Sequence, residues 1–423
     1  MNAEQLPAFL SRRNFVRLMG AGVAATTTLS GFGQQSINPG EARSRNIAAT
    51  KTDKGESRQM SPDTVVISSN ENPLGPAESA LNEMASAAAL GGRYDKTGVA
   101  RKTVETISEQ FGLKPGYVQL FPGSGGPLDM ALMSNISAER GLVCADPSYE
   151  QGPRAAKACN APLKLVPLTS NFAHDVRAMV AADPHAGAYY IVNPNNPTGT
   201  MTPKEDIVWL LQNKPAGSVV IVDEAYHHFS NAESVIDLVA ADKDIIVLRT
   251  FSKIYGMAGI RAGFAFARPE LLAKFQTISP EISLRSVASV SLIAAAMAGA
   301  SLRDPNLVPM RKMLNMDIRE TTLEFLDKNG YKYLPGSQAN FFMVDVQRPG
   351  REFIQNMLIE KVAIGRTWTA MPSFVRVTVG TSEEMAKFQQ AFVKCIDMPV
   401  PSQTSSYRDN SMEFFLPSEL DRA

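Results

Sequence analysis

Seven short apolar runs recur along the chain, and stretches of helical spacing or loop separate most of them. The runs cover residues 118–121, 141–145, 163–167, 188–192, 218–222, 245–249 and 263–267. Strands that alternate with helices pair into a sheet, and the helices then cover both of its faces. The pattern therefore predicts an α/β fold built on a mostly parallel sheet.

The remaining segments divide the chain into five parts. We predict a signal and linker over residues 1–45, an N-terminal arm over 46–76, a large domain over 77–300, a smaller α+β domain over 301–398 and a poorly ordered tail over 399–423. Helical spacing marks residues 81–89, 103–111, 128–136, 280–302, 311–329 and 384–396, and two further strands are expected at 341–346 and 375–379. The stretch 280–302 would join the two domains.

The first 33 residues have the pattern of an export signal. Arg12 and Arg13 are followed by Phe15, and residues 18–33 are small and apolar without a charge. This arrangement resembles a twin-arginine signal, and the run is too short and too rich in Gly, Ala and Thr for a comfortable membrane span. We expect periplasmic or other extracytoplasmic localisation through the twin-arginine export machinery, and a cytoplasmic protein if the signal is not used.

Charge and composition argue against several classes of function. The 42 basic residues balance 42 acidic ones, so the net charge gives no reason to expect nucleic acid. The three cysteines are scattered and only four histidines occur, so we expect neither a disulfide framework nor a metal site. No G-x-G-x-x-G motif opens a helix with an acidic residue after it, which argues against a dinucleotide-binding oxidoreductase.

The segment 250–263 (TFSKIYGMAGIRAG) carries the most specific chemistry in the sequence. It follows an apolar strand, so Lys253 is expected near the strand's carboxyl end, where α/β sheets bind ligands. Pyridoxal phosphate (PLP) requires a lysine amine for an imine, and hydroxyls with an arginine for its phosphate. Thr250 and Ser252, three and one residues before Lys253, supply the hydroxyls, and Arg261, eight residues after it, supplies the arginine.

A second segment delivers a carboxylate. The apolar run 219–222 ends at Asp223, and Tyr226 follows three residues later. A carboxylate there could keep a pyridine nitrogen protonated, so that the ring accepts electrons, and the phenol could reach the ring's 3′ oxygen. By itself an Asp-Glu pair at a strand end is more often a helix cap or turn. Its place thirty residues before Lys253 favours the cofactor role.

Two loops complete the pattern. Residues 193–199 (NPNNPTG) contain two prolines and a glycine, which make a rigid turn; an asparagine amide held there could donate to the ring oxygen, and the Asn-Pro bonds are candidates for cis isomers. Residues 123–126 (GSGG) lie between a strand and a helix, where free backbone amides suit a phosphate. Each loop alone is weak support.

Together these residues resemble fold-type I PLP enzymes, the class I/II aminotransferases, and within them the histidinol-phosphate aminotransferase branch. The resemblance runs from residue 69 to residue 396; it begins with residues 70–76 (NENPLGP) and ends with residues 374–381 (FVRVTVGT). It implies a large domain with a mostly parallel seven-stranded sheet between helices, plus a smaller α+β domain. It also implies a PLP-dependent aminotransferase that moves an amino group between an amino acid and a 2-oxo acid.

The resemblance also assigns roles to single residues. Lys253 would bind PLP as a Schiff base and move the proton between the substrate α-carbon and the cofactor, and Asp223 would pair with the pyridine nitrogen. The other residues implied in cofactor binding are Tyr94, Gly125, Gly126, Tyr149, Asn196, Tyr226, Thr250, Ser252 and Arg261. Arg376 would bind the substrate α-carboxylate, with Arg366 and Asn72 near the substrate. Tyr94 would reach the phosphate in a neighbouring subunit, which implies a homodimer with a shared active site.

The sequence departs from the branch at two places. Pro127, after Gly126, stands where the branch has an acid after a small polar residue, so one phosphate donor is missing or supplied elsewhere. A single arginine, Arg366, does not establish a phosphorylated substrate, which leaves the donor and acceptor open. PLP-dependent decarboxylation, elimination, racemisation or oxidation on the same scaffold is the alternative. Lys253, Asp223 and Arg376 argue against a non-catalytic binding protein.

Overall fold

The computed structural model describes residues 61–278 and 290–398, which form one compact unit. The strands of these residues, in chain order, are β1 Val65–Ile67, β2 Val118–Phe121, β3 Leu142–Asp146, β4 Leu163–Pro167, β5 Ala188–Val192, β6 Val219–Asp223, β7 Ile245–Thr250, β8 Gly263–Phe266, β9 Lys332–Tyr333, β10 Phe341–Asp345, β11 Val362–Ile364 and β12 Phe374–Thr378.

Helices alternate with most of the strands. They are α1 Glu78–Ala89, α2 Val99–Gln110, α3 Gly125–Met133, α4 Gln151–Ala158, α5 Val176–Ala182, α6 Lys204–Asn213, α7 Ile236–Ala240, α8 Pro269–Ala273, α9 Phe275–Ile278, α10 Leu292–Arg303, α11 Leu307–Lys328, α12 Gly350–Ile359 and α13 Ser382–Ile396, with a 3₁₀ turn at His227–Phe229. In this part of the chain no helix is long and apolar enough to cross a membrane.

The strands β2 to β8 form a seven-stranded sheet in the order β2-β8-β7-β6-β5-β3-β4. Strands β3 to β7 are parallel to one another, and β8 alone in this sheet runs in the opposite direction, between β2 and β7. Hydrophobic clusters lie on both faces of the sheet. The prediction of a mostly parallel seven-stranded sheet is confirmed, and the expected strands match within one or two residues at each end.

Burial explains why the central strands read as unbroken apolar runs. Every residue of β5, β6 and β7 is buried, because helices cover both faces of the sheet at its centre. These strands are parallel, so their carboxyl ends meet at one edge. Asn193, Asp223 and Thr250 lie at that edge, which therefore collects polar groups from three separate parts of the sequence.

The C-terminal part of the chain has its own small sheet. Strands β12, β10 and β9 are antiparallel, and α11, α12 and α13 pack with them around a separate apolar cluster. In addition, β1 pairs in parallel with β11, Val65 opposite Val362. The sequence pattern did not indicate β1, because a three-residue strand is too short to show alternation. This pairing carries the following residues, 68–71, towards the edge of the large sheet.

Five helices do not start at the predicted residue: α1 starts three residues earlier, α2 and α11 start four residues earlier, and α3 and α13 differ for local reasons. Helix α3 begins three residues earlier than expected, because its first turn accepts glycines and a proline at Pro127. Helix α13 begins at Ser382, since Thr381 and Glu384 form a capping box in which each side chain binds the other's backbone amide.

Several predictions concern residues outside the described ranges. The export signal and linker over 1–45, residues 46–60 of the arm, residues 280–289 of the joining helix and the tail over 399–423 belong there. The described part of the joining helix is α10, which packs against α1 and α2. The domain boundaries at residues 76 and 300 stay predictions. Among the described residues no group of three His, Cys, Asp or Glu side chains could hold a metal ion.

A buried ion pair fastens β6 to β7 beside the polar edge. Arg249 donates from Nε and Nη2 to Oε2 of Glu224 at 2.9 and 2.7 Å. The same carboxylate accepts hydrogen bonds from Ser234 and from the amide of Val235. Burial raises the pKa of Glu224, but the charges of Arg249 and His227 and the hydrogen bonds to the carboxylate together outweigh burial and leave this pKa below its usual value.

We expect Glu224→Gln to lower the free energy of unfolding by about 3–5 kcal/mol, because it leaves the Arg249 guanidinium buried without a counter-ion. Urea unfolding of the cofactor-free protein measures this change. The control is Glu205→Gln on the exposed face of α6, which should alter stability by no more than about 0.5 kcal/mol. Equal stabilities for the two variants would contradict the prediction.

Candidate active site

A cavity of about 650 Å³ opens at the carboxyl edge of the large sheet, between it and the C-terminal part of the chain. The residues predicted from the sequence that line it are Gly125, Tyr149, Asn196, Asp223, Tyr226, Thr250, Ser252, Lys253, Arg261, Arg366 and Arg376. Five parallel-strand ends and β12 contribute to this set, so tertiary structure unites residues that are up to 251 positions apart.

Lys253 lies three residues beyond the end of β7. Its Nζ donates to the carbonyl oxygen of Ser69 at 3.1 Å and lies 5.5 Å from the ring centroid of Tyr226. Burial of the amine and the nearby charge of Arg376 lower the pKa of Lys253 to about 8. The amine is therefore a far better nucleophile near neutral pH than an ordinary lysine.

Asp223 is the last residue of β6 and its side chain is buried. Its Oδ2 accepts a hydrogen bond from the Tyr190 hydroxyl at 3.1 Å, and Oδ1 accepts one from the Ala225 amide at 3.1 Å. Burial raises the pKa of Asp223 to about 6 despite these bonds and the charge of Lys253. A cationic N–H beside this carboxylate would offset the unfavourable burial of its negative charge.

Two polar side chains face the middle of the cavity. Asn196 accepts a hydrogen bond at Oδ1 from Arg376 Nη1 at 2.7 Å, which turns the donating NH₂ of the same amide the other way. Tyr226 accepts a hydrogen bond from Asn70 Nδ2 at 3.0 Å, and burial raises the pKa of its hydroxyl. The loop that holds Asn196 has a cis peptide bond before Pro194. Both groups could donate to one ligand oxygen.

One end of the cavity is shaped for an anion. Thr250 Oγ donates to Ser252 Oγ at 2.9 Å, and Arg261 Nη1 donates to the same atom at 3.3 Å. Gly123 has a φ of +85°, and a Cβ atom there would come within 2.2 Å of Arg261 Nη2. Only glycine leaves room for the guanidinium beside the start of α3.

Pro127 occupies the first turn of α3, so its missing amide removes one donor from this end of the helix. Gly125 lines the cavity, whereas Gly126 does not. Ser124 and Gln151 also line the cavity, and Gln151 Nε2 donates to the Gly125 carbonyl at 2.7 Å. Ser124 lines the same cavity and offers a hydroxyl donor, and its place within the GSGG loop was a usable signal.

Arg376 crosses from β12 to the opposite wall. Its Nη2 donates to the Ser68 carbonyl at 2.8 Å, and its Nε is buried without a hydrogen-bond partner in the described structure. Burial is the main reason that the pKa of Arg376 falls to about 10. A buried guanidinium that keeps an unpaired N–H suits an incoming carboxylate.

Two further predicted residues, Asn72 and Tyr94, do not line this cavity. The Asn72 amide donates to the Ile254 carbonyl at 3.0 Å, and the residue lines two smaller cavities of about 240 Å³ each. Tyr94 is 94 % exposed on this chain. Sequence reasoning also missed Ser69, Asn70 and Tyr190, because nothing in a single segment shows which distant side chains will contact Lys253, Tyr226 and Asp223.

The residues present fit PLP. Among the described residues, the buried carboxylate of Asp223 has no cationic partner within hydrogen-bond distance. It is therefore free to pair with a protonated pyridine nitrogen. The glycine-lined space beside Arg261 suits the phosphate, and the Lys253 amine lies in the same cavity. The three groups therefore match the three ends of the cofactor.

Comparison with known proteins agrees with this fit. Residues 62–392 match the family Aminotransferase class I and II. A histidinol-phosphate aminotransferase from Moorella thermoacetica is 33% identical over 336 residues, 78% of this chain and 84% of that protein, and one from Nitrosococcus oceani is 34% identical over 333 residues, 77% and 87%.

Solved structures agree in fold. The crystal structure of a putative histidinol-phosphate aminotransferase from Erwinia carotovora atroseptica is 29% identical, with a TM-score of 0.73 over 78% of this chain and 95% of that one. The Sinorhizobium meliloti enzyme in complex with pyridoxal 5′-phosphate is 23% identical, with a TM-score of 0.72 over 79% and 90%. The chain therefore belongs to the aminotransferase class I and II family and is a PLP-dependent aminotransferase.

Proposed function

We propose that this chain transfers an amino group between an amino acid and a 2-oxo acid, with Lys253 as the cofactor-binding lysine and the proton carrier at the substrate α-carbon. The observation that carries the proposal is the shared cavity of Lys253, Asp223 and Arg376. Bound PLP supplies an electron-accepting ring next to the substrate nitrogen. The protein must then hold the ring, orient the substrate and move one proton.

Each task has a matching group. The Asp223 carboxylate would bind the ring N–H, and Asn196 and Tyr226 would donate to the ring oxygen. Tyr149, whose pKa burial raises to about 12, stays a neutral phenol against the ring face. Arg376 binds the α-carboxylate and so fixes the α-carbon beside Lys253, whose lowered pKa lets its amine accept a proton.

The remaining residues are assigned to the phosphate of the cofactor and to the wall of the cavity. Thr250, Ser252, Arg261 and the amides at the start of α3 would hold the phosphate, and the Ser124 hydroxyl, which lines the same cavity, would replace the donor that Pro127 lacks. Asn72 shapes the wall behind the Lys253 loop through its bond to Ile254. The distal part of the cleft is left to the substrate side chain.

The direct test is the visible spectrum of the purified protein with PLP, compared with Lys253→Ala. We expect a yellow band in the wild type and none linked to lysine in the variant, because no other amine occupies that position. One amino acid from a panel should convert the band to pyridoxamine phosphate. Keto acid with ammonia or peroxide in its place would instead support the oxidase or lyase alternative.

The lowered pKa of Lys253 predicts a pH dependence. The rate at which the cofactor-free protein captures PLP should rise with pH and level off above about 8, because only the neutral amine attacks an aldehyde. Arg376→Leu removes a nearby positive charge, so its midpoint should move to higher pH. Stopped-flow absorbance measures both. A wild-type midpoint near that of free lysine would contradict the prediction.

Tyr94 belongs to a shared site in a homodimer under this proposal. Its 94 % exposure fits a residue that acts across a subunit interface. Tyr94→Phe should weaken PLP binding about 10-fold, through loss of one hydrogen bond to a charged phosphate, and should leave the sedimenting mass of a dimer unchanged. Tyr333→Phe, which removes a surface hydroxyl bound to Asp327, is the matched control. A monomer in sedimentation would contradict the assignment.

A further inference from the structure

Arg366 lines the cavity beyond Arg376, but its charge already has a partner. Glu150, which follows Tyr149 at the start of α4, forms an ion pair with Nη2 of Arg366. The side chains of Arg366 and Glu150 are 22% and 38% exposed, so solvent screens the pair less than it screens a surface pair.

The indole of Trp368 packs against the same guanidinium. Arg366 lies 4.7 Å from the Trp368 ring centroid, and Arg376 lies 5.4 Å from it. The indole itself is buried and packs with Leu334 and Met343. Trp368 therefore contacts both arginines, and Glu150 forms its ion pair with the outer one, Arg366.

The rest of the distal region offers no further cation among the described residues. Its wall is apolar and includes Ile354, Leu358, Ala363 and Ile364. Glu71 adds a negative charge to the lining. With Asp223, Lys253 and Arg261 assigned to the cofactor and Arg376 to the α-carboxylate, the substrate side chain meets an apolar wall, a neutralised arginine and one carboxylate.

We propose that Glu150 is a specificity-determining residue that makes the cleft favour amino acids with neutral or cationic side chains over those with anionic ones. The inference rests on the proposed function, because Arg376 must bind the α-carboxylate. Both half-reactions of a ping-pong cycle use one cleft, so the 2-oxo acid that accepts the amino group follows the same rule.

The preference follows from competition for one guanidinium. An anionic side chain that binds Arg366 must displace Glu150, which then stays partly buried beside a second negative charge. An apolar side chain makes no such demand and gains from the contact with Ile354 and Leu358. A cationic one can bind Glu71 or the free oxygen of Glu150.

The test compares two unreactive ligands of equal chain length on the holoenzyme, succinate and butyrate. Binding is followed by the shift of the cofactor band and by the fluorescence of Trp368, with Trp209 replaced by Phe to leave one indole. We expect wild type to bind succinate no more tightly than butyrate. Glu150→Gln should tighten succinate binding about 10-fold and leave butyrate unchanged, because Arg366 is released.

Two further variants make the result specific. Arg366→Met in the Glu150→Gln background should abolish the gain for succinate. Glu320→Gln breaks an ion pair with Arg319, 2.9 Å long and outside the cavity, and should change neither ligand.

Wild type that binds succinate 10-fold more tightly than butyrate would overturn the inference and leave the proposed function intact. The inference also fails, with the proposed function again intact, if Glu150→Gln keeps its cofactor band and binds both ligands as wild type does. A wild type without a lysine-linked cofactor band would overturn both.

Discussion

The placement of this active site depends on three parallel strands that are buried along their whole length. Before the edge that they share, β5, β6 and β7 carry only apolar side chains and the two buried tyrosines Tyr189 and Tyr190. Polar groups therefore concentrate where the strands stop, since both faces are covered by helices. The ion pair of Glu224 with Arg249 fastens two of these ends, so Asp223 and Thr250 keep a fixed separation. The cavity begins at that fixed edge.

The cavity holds charges that are poorly compensated without a ligand. Burial raises the pKa of Asp223 to about 6 and lowers those of Lys253 and Arg376 to about 8 and 10. Each shift marks a group whose charged form lacks a sufficient partner. A cofactor with a cationic ring nitrogen and a substrate with a carboxylate supply the missing partners. Burying these charges lowers the stability of the ligand-free fold, and binding of the ligand raises it again.

The distal region differs from this scheme, because its arginine is already paired. Glu150 neutralises Arg366, and Trp368 orients it next to Arg376. The inner arginine is ready for a ligand, and the outer one is occupied. Chemistry and selectivity are thus assigned to different parts of one cleft. The chemistry depends on charged groups that lack a partner, and the selectivity depends on the ion pair of Arg366 with Glu150.

The sequence by itself determined the fold class and the seven strands, and it predicted the groups within single segments that we assign to the cofactor, such as Lys253 with Thr250, Ser252 and Arg261. Apolar runs and local motifs record burial and backbone conformation, which depend on neighbours in the chain. Only the tertiary structure decided that β1 pairs with β11, that Tyr190 and Asn70 support the site, and that Glu150 occupies Arg366. Those contacts join residues far apart in sequence, and side-chain pairing across such distances leaves no periodic signal in one chain.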